Sequence, residues 1–170
     1  MTTRDSIHKW LIYALALLPV WILDGMILPR CPIWGITPML FPAAVASVAV
    51  LEGGLPGTGF GMAVGLLWEL AYPGGFGIMV CAMALAGMLI GIAAQYSLSQ
   101  GLPACLLCTG CILILMDGLR ILKGLITNSA GMTAMLQVAV PEVLISLAWT
   151  PVVWFLFHAV FRRVGGNKLA

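Results

Sequence analysis

The segment FGIMVCAMALAGMLIGIAAQ, residues 76–95, decides the fold class, because it contains twenty residues and no charged side chain. A helix of about 20 apolar residues is long enough to cross the hydrocarbon core of a bilayer. The rest of the chain is similar: 62% of its 170 residues are hydrophobic and 8% are charged, and the mean hydropathy is +1.09. We therefore expect an all-α, polytopic integral membrane protein.

Length and charge limit what else the chain can be. Six spans of about 20 residues would occupy about 120 positions and leave only short connections, with no room for a soluble domain. We therefore expect one integral membrane domain over residues 1–170. Eight basic and six acidic residues give a net charge of +2, too small a positive charge for binding nucleic acid. We expect the protein to be surrounded by the lipid bilayer, and we exclude nucleic acid as a main partner.

Clusters of proline, glycine and polar residues set the boundaries of six predicted spans. These spans lie at about residues 10–28, 36–52, 57–72, 76–95, 103–126 and 141–161. The second and third apolar runs are short for a bilayer, so they either extend into their flanks or form short helices buried among the others. The last run would be about 42 Å long as one helix. We therefore expect it to be divided at Pro141, with Glu142 at the positive end of the helix dipole.

The first apolar segment superficially resembles a signal peptide. Asp24 and the lack of a small-x-small cleavage site predict a retained span instead. Six spans place both termini on one side, where the chain carries five basic residues, Arg4, Lys9, Arg162, Arg163 and Lys168. The opposite loops carry three, Arg30, Arg120 and Lys123. Because cytoplasmic segments are enriched in Lys and Arg, we expect both termini in the cytoplasm.

Glycines recur at helical spacing in the third and fourth predicted spans. Gly57, Gly61 and Gly65 stand every fourth residue, and Gly87 and Gly91 form a G-x-x-x-G pair. Small residues at this spacing let membrane helices approach closely. Two interpretations stay open: the glycines pack helices inside the protein, or one glycine face is left for a partner helix.

Few ionisable residues lie within the apolar runs, where charge is costly and often functional. Glu69 follows the glycine series, and a buried carboxylate there needs a hydrogen-bond donor from another helix or from a partner protein. Asp117 and Arg120 are three residues apart on one helix face, which predicts an intramembrane ion pair. Asp24 stands near a helix end, and Glu52 stands in a glycine-rich turn.

Residues that could carry catalysis or bind a metal are scarce. Cys105, Cys108 and Cys111 form C-x-x-C-x-x-C, but no fourth ligand follows at short range, so we interpret them, together with Gly110, as a small packing surface. The two histidines, His8 and His158, lie at opposite ends of the chain. No nucleophile elbow, H-E-x-x-H motif or aspartate cluster is present. The sequence predicts no catalytic residue, no metal site and no cofactor.

One known family has a similar pattern. The run GMAVGLLWEL, residues 61–70, followed by glycines at 74, 75 and 77 and by the Gly87–Gly91 helix, resembles the central signature of the MreD family of rod shape-determining membrane proteins. The ending PVVWFLFHAVFRR, residues 151–163, is similar to the last helix of that family and its basic cytoplasmic end. The resemblance covers essentially the whole chain. It departs at Glu69, where the family usually has Asp.

The resemblance implies a non-enzymatic scaffold of the bacterial elongation machinery in the cell membrane. Such a protein binds MreC and, with RodA, its transpeptidase partner and indirectly the actin-like MreB, helps direct side-wall peptidoglycan synthesis. It also implies a six-helix fold similar to the S components of energy-coupling factor transporters. The alternative is therefore an S component that binds a vitamin or a metal. We favour the scaffold, because the first span lacks the Ala-x-x-x-Ala docking face often found in S components, and the outer loops are poor in polar groups for a pocket.

Overall fold

The computed structural model describes residues 3–30, 37–71, 77–96, 101–126 and 132–164. Every regular element in this part of the chain is helical, which confirms the all-α prediction there. The six α-helices are α1 Thr3–Ile22, α2 Phe41–Glu52, α3 Gly54–Ala71, α4 Ile78–Tyr96, α5 Leu102–Ile126 and α6 Met132–Val164. A π-helix, Leu23–Ile27, and a 3-10 helix, Leu28–Arg30, follow α1. Gly74, Gly75 and Lys168, on which predictions from the sequence rest, lie outside the described residues.

Four of the described helices are long and apolar enough to cross a membrane. The corresponding segments are His8–Ile27, Ile78–Tyr96, Leu102–Ile121 and Leu136–Arg163. The helix α2 has 12 residues, which corresponds to about 18 Å, well short of the hydrocarbon core. Six helices are thus confirmed, while a topology of six complete spans stays a prediction.

The short helix α2 lies at the centre of the bundle. All its residues from Phe41 to Leu51 are buried, and it contacts each of the other five α-helices. Because it is apolar on every side, no face of it suits water, as expected of a fully buried helix. Of the two alternatives left open for the second apolar run, the structure shows the short helix buried among the others. By contrast, α3 exposes one side, with Leu55 90% and Leu70 79% accessible.

Three buried aromatic rings join α1, α3 and α6. Tyr13 stacks on Phe157 with ring centroids 6.3 Å apart, and Phe60 meets Phe157 edge-on at 5.7 Å. Phe60 also meets Tyr13 edge-on at 6.4 Å. Offset and edge-on pairs such as these add about 0.5–1.5 kcal/mol each beyond the area they bury. This aromatic cluster therefore fixes the level at which α1 and α6 lie against each other.

The last helix differs from the prediction. It runs without interruption from Met132 to Val164 and contains Pro141 and Pro151 in its interior, so the expected division at Pro141 is wrong. An interior proline removes one helix hydrogen bond, but membrane helices tolerate this where neighbouring helices support them. Here α6 packs along α5, α2 and α1. Glu142 consequently lies inside a helix and does not cap the start of one.

Candidate functional site

The backbones of α3 and α4 touch along a row of glycines. A Cβ atom added at Gly57 would lie 2.8 Å from the carbonyl oxygen of Gly87, and one added at Gly65 would lie 2.6 Å from Val80 Cα. At Gly61 the added atom would fall on the carbonyl oxygen of Met83. Real Cβ atoms essentially never approach other atoms within 3.0 Å. Any larger residue at these positions must therefore push the two helices apart.

The glycines of α4 supply the other side of the same contact. A Cβ atom at Gly87 would lie 2.7 Å from the carbonyl carbon of Gly57, and one at Gly91 would fall on the backbone of Gly53 and Gly54. The structure thus brings both predicted glycine motifs together as two sides of one antiparallel interface. The glycine face of α3 packs on the glycine face of α4, so neither face is free to receive the helix of another protein.

A glycine hairpin sets the direction of α3. Gly53, between α2 and α3, has φ +93°, a left-handed conformation that suits glycine. Its N–H donates to Ala49 O at 2.9 Å, and its carbonyl accepts from Gly57 N at 2.9 Å. Only this residue separates the two helices. The turn therefore presses the start of α3 against the end of α2, where a Cβ at Gly57 would lie 2.8 Å from Ala49 Cβ.

Glu69 lies half-buried near the end of α3. Within the described residues its Oε1 atom is buried and has no hydrogen-bond partner. The preceding residue, Trp68, packs edge-on against Phe41 of α2 with ring centroids 5.6 Å apart. The structure thus places a carboxylate oxygen without a donor beside the α3–α4 interface. That a partner protein supplies this donor stays a prediction.

Arg120 of α5 joins two buried carboxylates. Its Nη1 atom lies 3.8 Å from Asp117 Oδ1 and 3.3 Å from Glu142 Oε1 of α6. Asp117 and Glu142 are each 7% exposed, and Asp117 Oδ2 has no hydrogen-bond partner among the described residues. The sequence predicts the pairing of Arg120 with Asp117 but not with Glu142, because proline followed by glutamate indicates a helix start at Pro141, and the structure has none there.

Side chains of two other helices accept hydrogen bonds from the backbone N–H groups at the start of α2. Leu40 N donates to Asp24 Oδ1 at 2.8 Å, and Met39 N donates to Ser146 Oγ at 2.9 Å. The first N–H groups of a helix have no partner within the helix, and a carboxylate there also complements the helix dipole. Asp24, predicted near a helix end, lies in the π-helix and is 6% exposed. It therefore acts as a tertiary cap for α2.

The opposite end of α2 carries a second polar contact. Tyr13 Oη donates to Glu52 Oε1 at 2.7 Å, and Lys9 Nζ forms an ion pair with Glu52 Oε2. Glu52 is the last residue of α2 and does not lie in the turn where the sequence analysis placed it. The two contacts fix the start of α1 to the end of α2.

The cysteine motif contributes packing at two of its three positions. Cys105 and Cys108 are buried, whereas Cys111 is exposed. Cys105 Sγ lies 3.4 Å from Ser47 Oγ of α2. A step of three residues turns about 60° around a helix, so the third thiol rotates away from the contact. Among the described residues, no group of three or more His, Cys, Asp or Glu side chains is placed to hold a metal ion.

Comparison with known proteins identifies one family. A family model described as rod shape-determining protein MreD matches residues 4–164 of the chain. No curated protein matches, and no solved structure matches. The family match therefore covers all the helices described above except the first residue of α1, whereas the expected likeness to S components stays a prediction.

Proposed function

The chain belongs to the MreD family of rod shape-determining proteins, and from this premise we propose that it is a non-enzymatic membrane scaffold that binds MreC. Membership of the family assigns the chain a role in determining rod shape. The finer proposal is that the scaffold helps to direct side-wall peptidoglycan synthesis. Its further partners are RodA with its transpeptidase, and indirectly MreB.

The glycine interface between α3 and α4 is the observation that supports a scaffold. Two helices whose backbones touch at several successive positions cannot slide or rotate without a clash, so the pair forms a rigid platform. The platform carries large exposed apolar side chains on both helices, Met62, Leu66, Leu70, Leu85 and Leu89. We propose that the exposed face of α3, with Met62, Leu66 and Leu70, receives the membrane helix of MreC, and that Glu69 supplies a polar contact at its edge.

We place the protein in the bacterial inner membrane with both termini in the cytoplasm. The stacking of Tyr13 on Phe157 supports this arrangement, because it sets the start of α1 and the end of α6 at the same level. The exposed Arg162 and Arg163 then lie at the same end of the bundle as Lys9. One basic end is the arrangement that the positive-inside rule favours for the cytoplasmic side.

Substitution of the interface glycines tests the proposal. Gly61→Leu and Gly65→Leu should separate α3 from α4 and abolish co-purification of MreC with the tagged protein from native membranes in mild detergent. Gly118→Leu is the matched control, since Gly118 is exposed on α5 and nothing lies within 4 Å of its Cβ position. That variant should retain MreC at the level of the parent.

Two control measurements separate loss of MreC binding from loss of folding. The amount of each variant in the membrane and its thermal unfolding show whether it folds, and Gly61→Ala replaces any leucine variant that does not accumulate. Assembly with MreC at the parent level in both leucine variants would reject the role given to the glycines. Recovery of a transporter scaffold with paired ATPases in place of MreC would contradict the scaffold proposal itself and favour an S component.

A further inference from the structure

An apolar groove runs between α1 and α3, on a different side of α3 from its contact with α4. It has a volume of about 290 Å³ and is lined by Trp10, Ala14, Leu17, Gly59, Phe60 and Ala63; we call it the α1–α3 groove. Ala14, Gly59 and Ala63 are exposed, and nothing lies within 4 Å of the Cβ position of Gly59. Small residues thus leave an open space at the surface of the bundle between α1 and α3.

The floor of the α1–α3 groove is preformed. Phe60 is 4% exposed and is held edge-on by Tyr13 and Phe157. Tyr13 is itself fixed by its hydrogen bond to Glu52. These contacts are internal to the bundle and do not require an occupant, so the groove is a stable feature of the fold. Preformed apolar concavities are the usual form of binding sites for apolar ligands.

Positive charge lies at the end of the bundle nearest Trp10. Arg162 and His8 each stand five residues beyond the Tyr13–Phe157 stack, which is about 7.5 Å along the helix axes. Arg162 and Arg163 are exposed, whereas Lys9 is paired with Glu52. The two arginines form no ion pair within the described part of the chain, and they therefore leave net positive charge at this end.

We propose that the α1–α3 groove binds one acyl chain of an anionic phospholipid, whose phosphate headgroup lies against Arg162 and Arg163. A 150 Å³ apolar cavity holds one benzene molecule, so 290 Å³ has room for on the order of a dozen carbon atoms of a chain. The tryptophan at this end suits the level of the headgroups. Each basic residue near an anionic bilayer surface favours binding about fivefold.

Native mass spectrometry of the purified full-length protein tests the proposal. The delipidated protein is mixed with equal amounts of phosphatidylglycerol and phosphatidylcholine carrying the same acyl chains. We expect the parent to retain phosphatidylglycerol at least fivefold over phosphatidylcholine. Gly59→Leu fills the groove and should lower retained phosphatidylglycerol at least fivefold, while Gly118→Leu should retain as much as the parent. Thermal unfolding of all three proteins shows that the loss is not a loss of fold.

The headgroup part of the proposal has its own test. Replacing Arg162 and Arg163 together by glutamine should reduce the preference for phosphatidylglycerol to near one, while phosphatidylcholine binding stays unchanged. Equal retention of the two lipids by the parent would overturn the charge argument. Parent-level phosphatidylglycerol in Gly59→Leu would overturn the groove as the site. The parent and Gly59→Leu can also be purified from native membranes. Loss of a co-purifying protein in Gly59→Leu, with unaltered lipid retention, would overturn the assignment of a lipid as the occupant.

Discussion

Replacing Arg120 by methionine should leave two buried carboxylates without their counter-charge while keeping most of the apolar stem of the side chain. Glu142 Oε1 and Asp117 Oδ1 lie 3.3 and 3.8 Å from the guanidinium. Removal of one partner from a fully buried ion pair costs about 3–5 kcal/mol. The Arg120 side chain, however, is 40% exposed, so solvent screens part of the interaction. We therefore expect a loss of about 1–3 kcal/mol.

Thermal unfolding in detergent measures this loss. In a domain of this size, 1 kcal/mol shifts Tm by roughly 2–4 °C, so Arg120→Met should lower Tm by about 2–12 °C. Adding Glu142→Gln should recover part of the loss, with a coupling energy of about 1 kcal/mol or more. Arg30→Met, at an exposed arginine, is the control. Equal shifts for the two arginine variants, or a coupling energy below about 0.5 kcal/mol, would refute the reasoning.

Three further substitutions examine the carboxylates of Glu52 and Glu69. Glu52→Gln should cost about 1.5–3 kcal/mol, because it removes the charge that pairs with Lys9; Tyr13→Phe, which removes only one hydrogen bond, should lower Tm less in the same measurement. Glu69→Gln keeps the size of the side chain and removes its charge, and because Glu69 Oε1 has no donor among the described residues, Tm should change little. If that carboxylate anchors a partner, cells carrying Glu69→Gln should lose normal width and MreC should no longer co-purify; normal width would show that the charge is dispensable.

The glycine pattern is the part of the candidate site that the sequence predicted best. A small residue at every fourth position marks a surface of close helix contact wherever it occurs, and this property is local to one helix. Which other helix packs on that surface depends on the tertiary fold and cannot be read from the spacing in one helix. The sequence therefore leaves open whether Gly61 packs inside the protein or against a partner; in the structure Gly61 lies against the backbone of Met83 in α4.

The polar contacts at the ends of α2 were not predicted, because each joins residues far apart in the chain. Met39 and Ser146 are 107 positions apart, and Lys9 and Glu52 are 43 positions apart. No spacing rule relates such pairs. Glu142 illustrates the resulting error: proline followed by glutamate is a strong local signal for a helix start, but packing of α6 against its neighbours overrides that signal.

The position of α2 determines which parts of the scaffold can move. In a dry interior each backbone N–H must be satisfied, and those of Met39 and Leu40 are satisfied by Ser146 of α6 and by Asp24 of the π-helix after α1. Displacement of α6 from α2 would remove the acceptor of Met39 N, and displacement of the π-helix would remove that of Leu40 N, at a cost of about 1–3 kcal/mol each. Between α1 and α3, by contrast, the structure has an open groove. A lipid or a partner can therefore occupy the space beside α1 without breaking a backbone hydrogen bond, whereas entry at the start of α2 cannot avoid it.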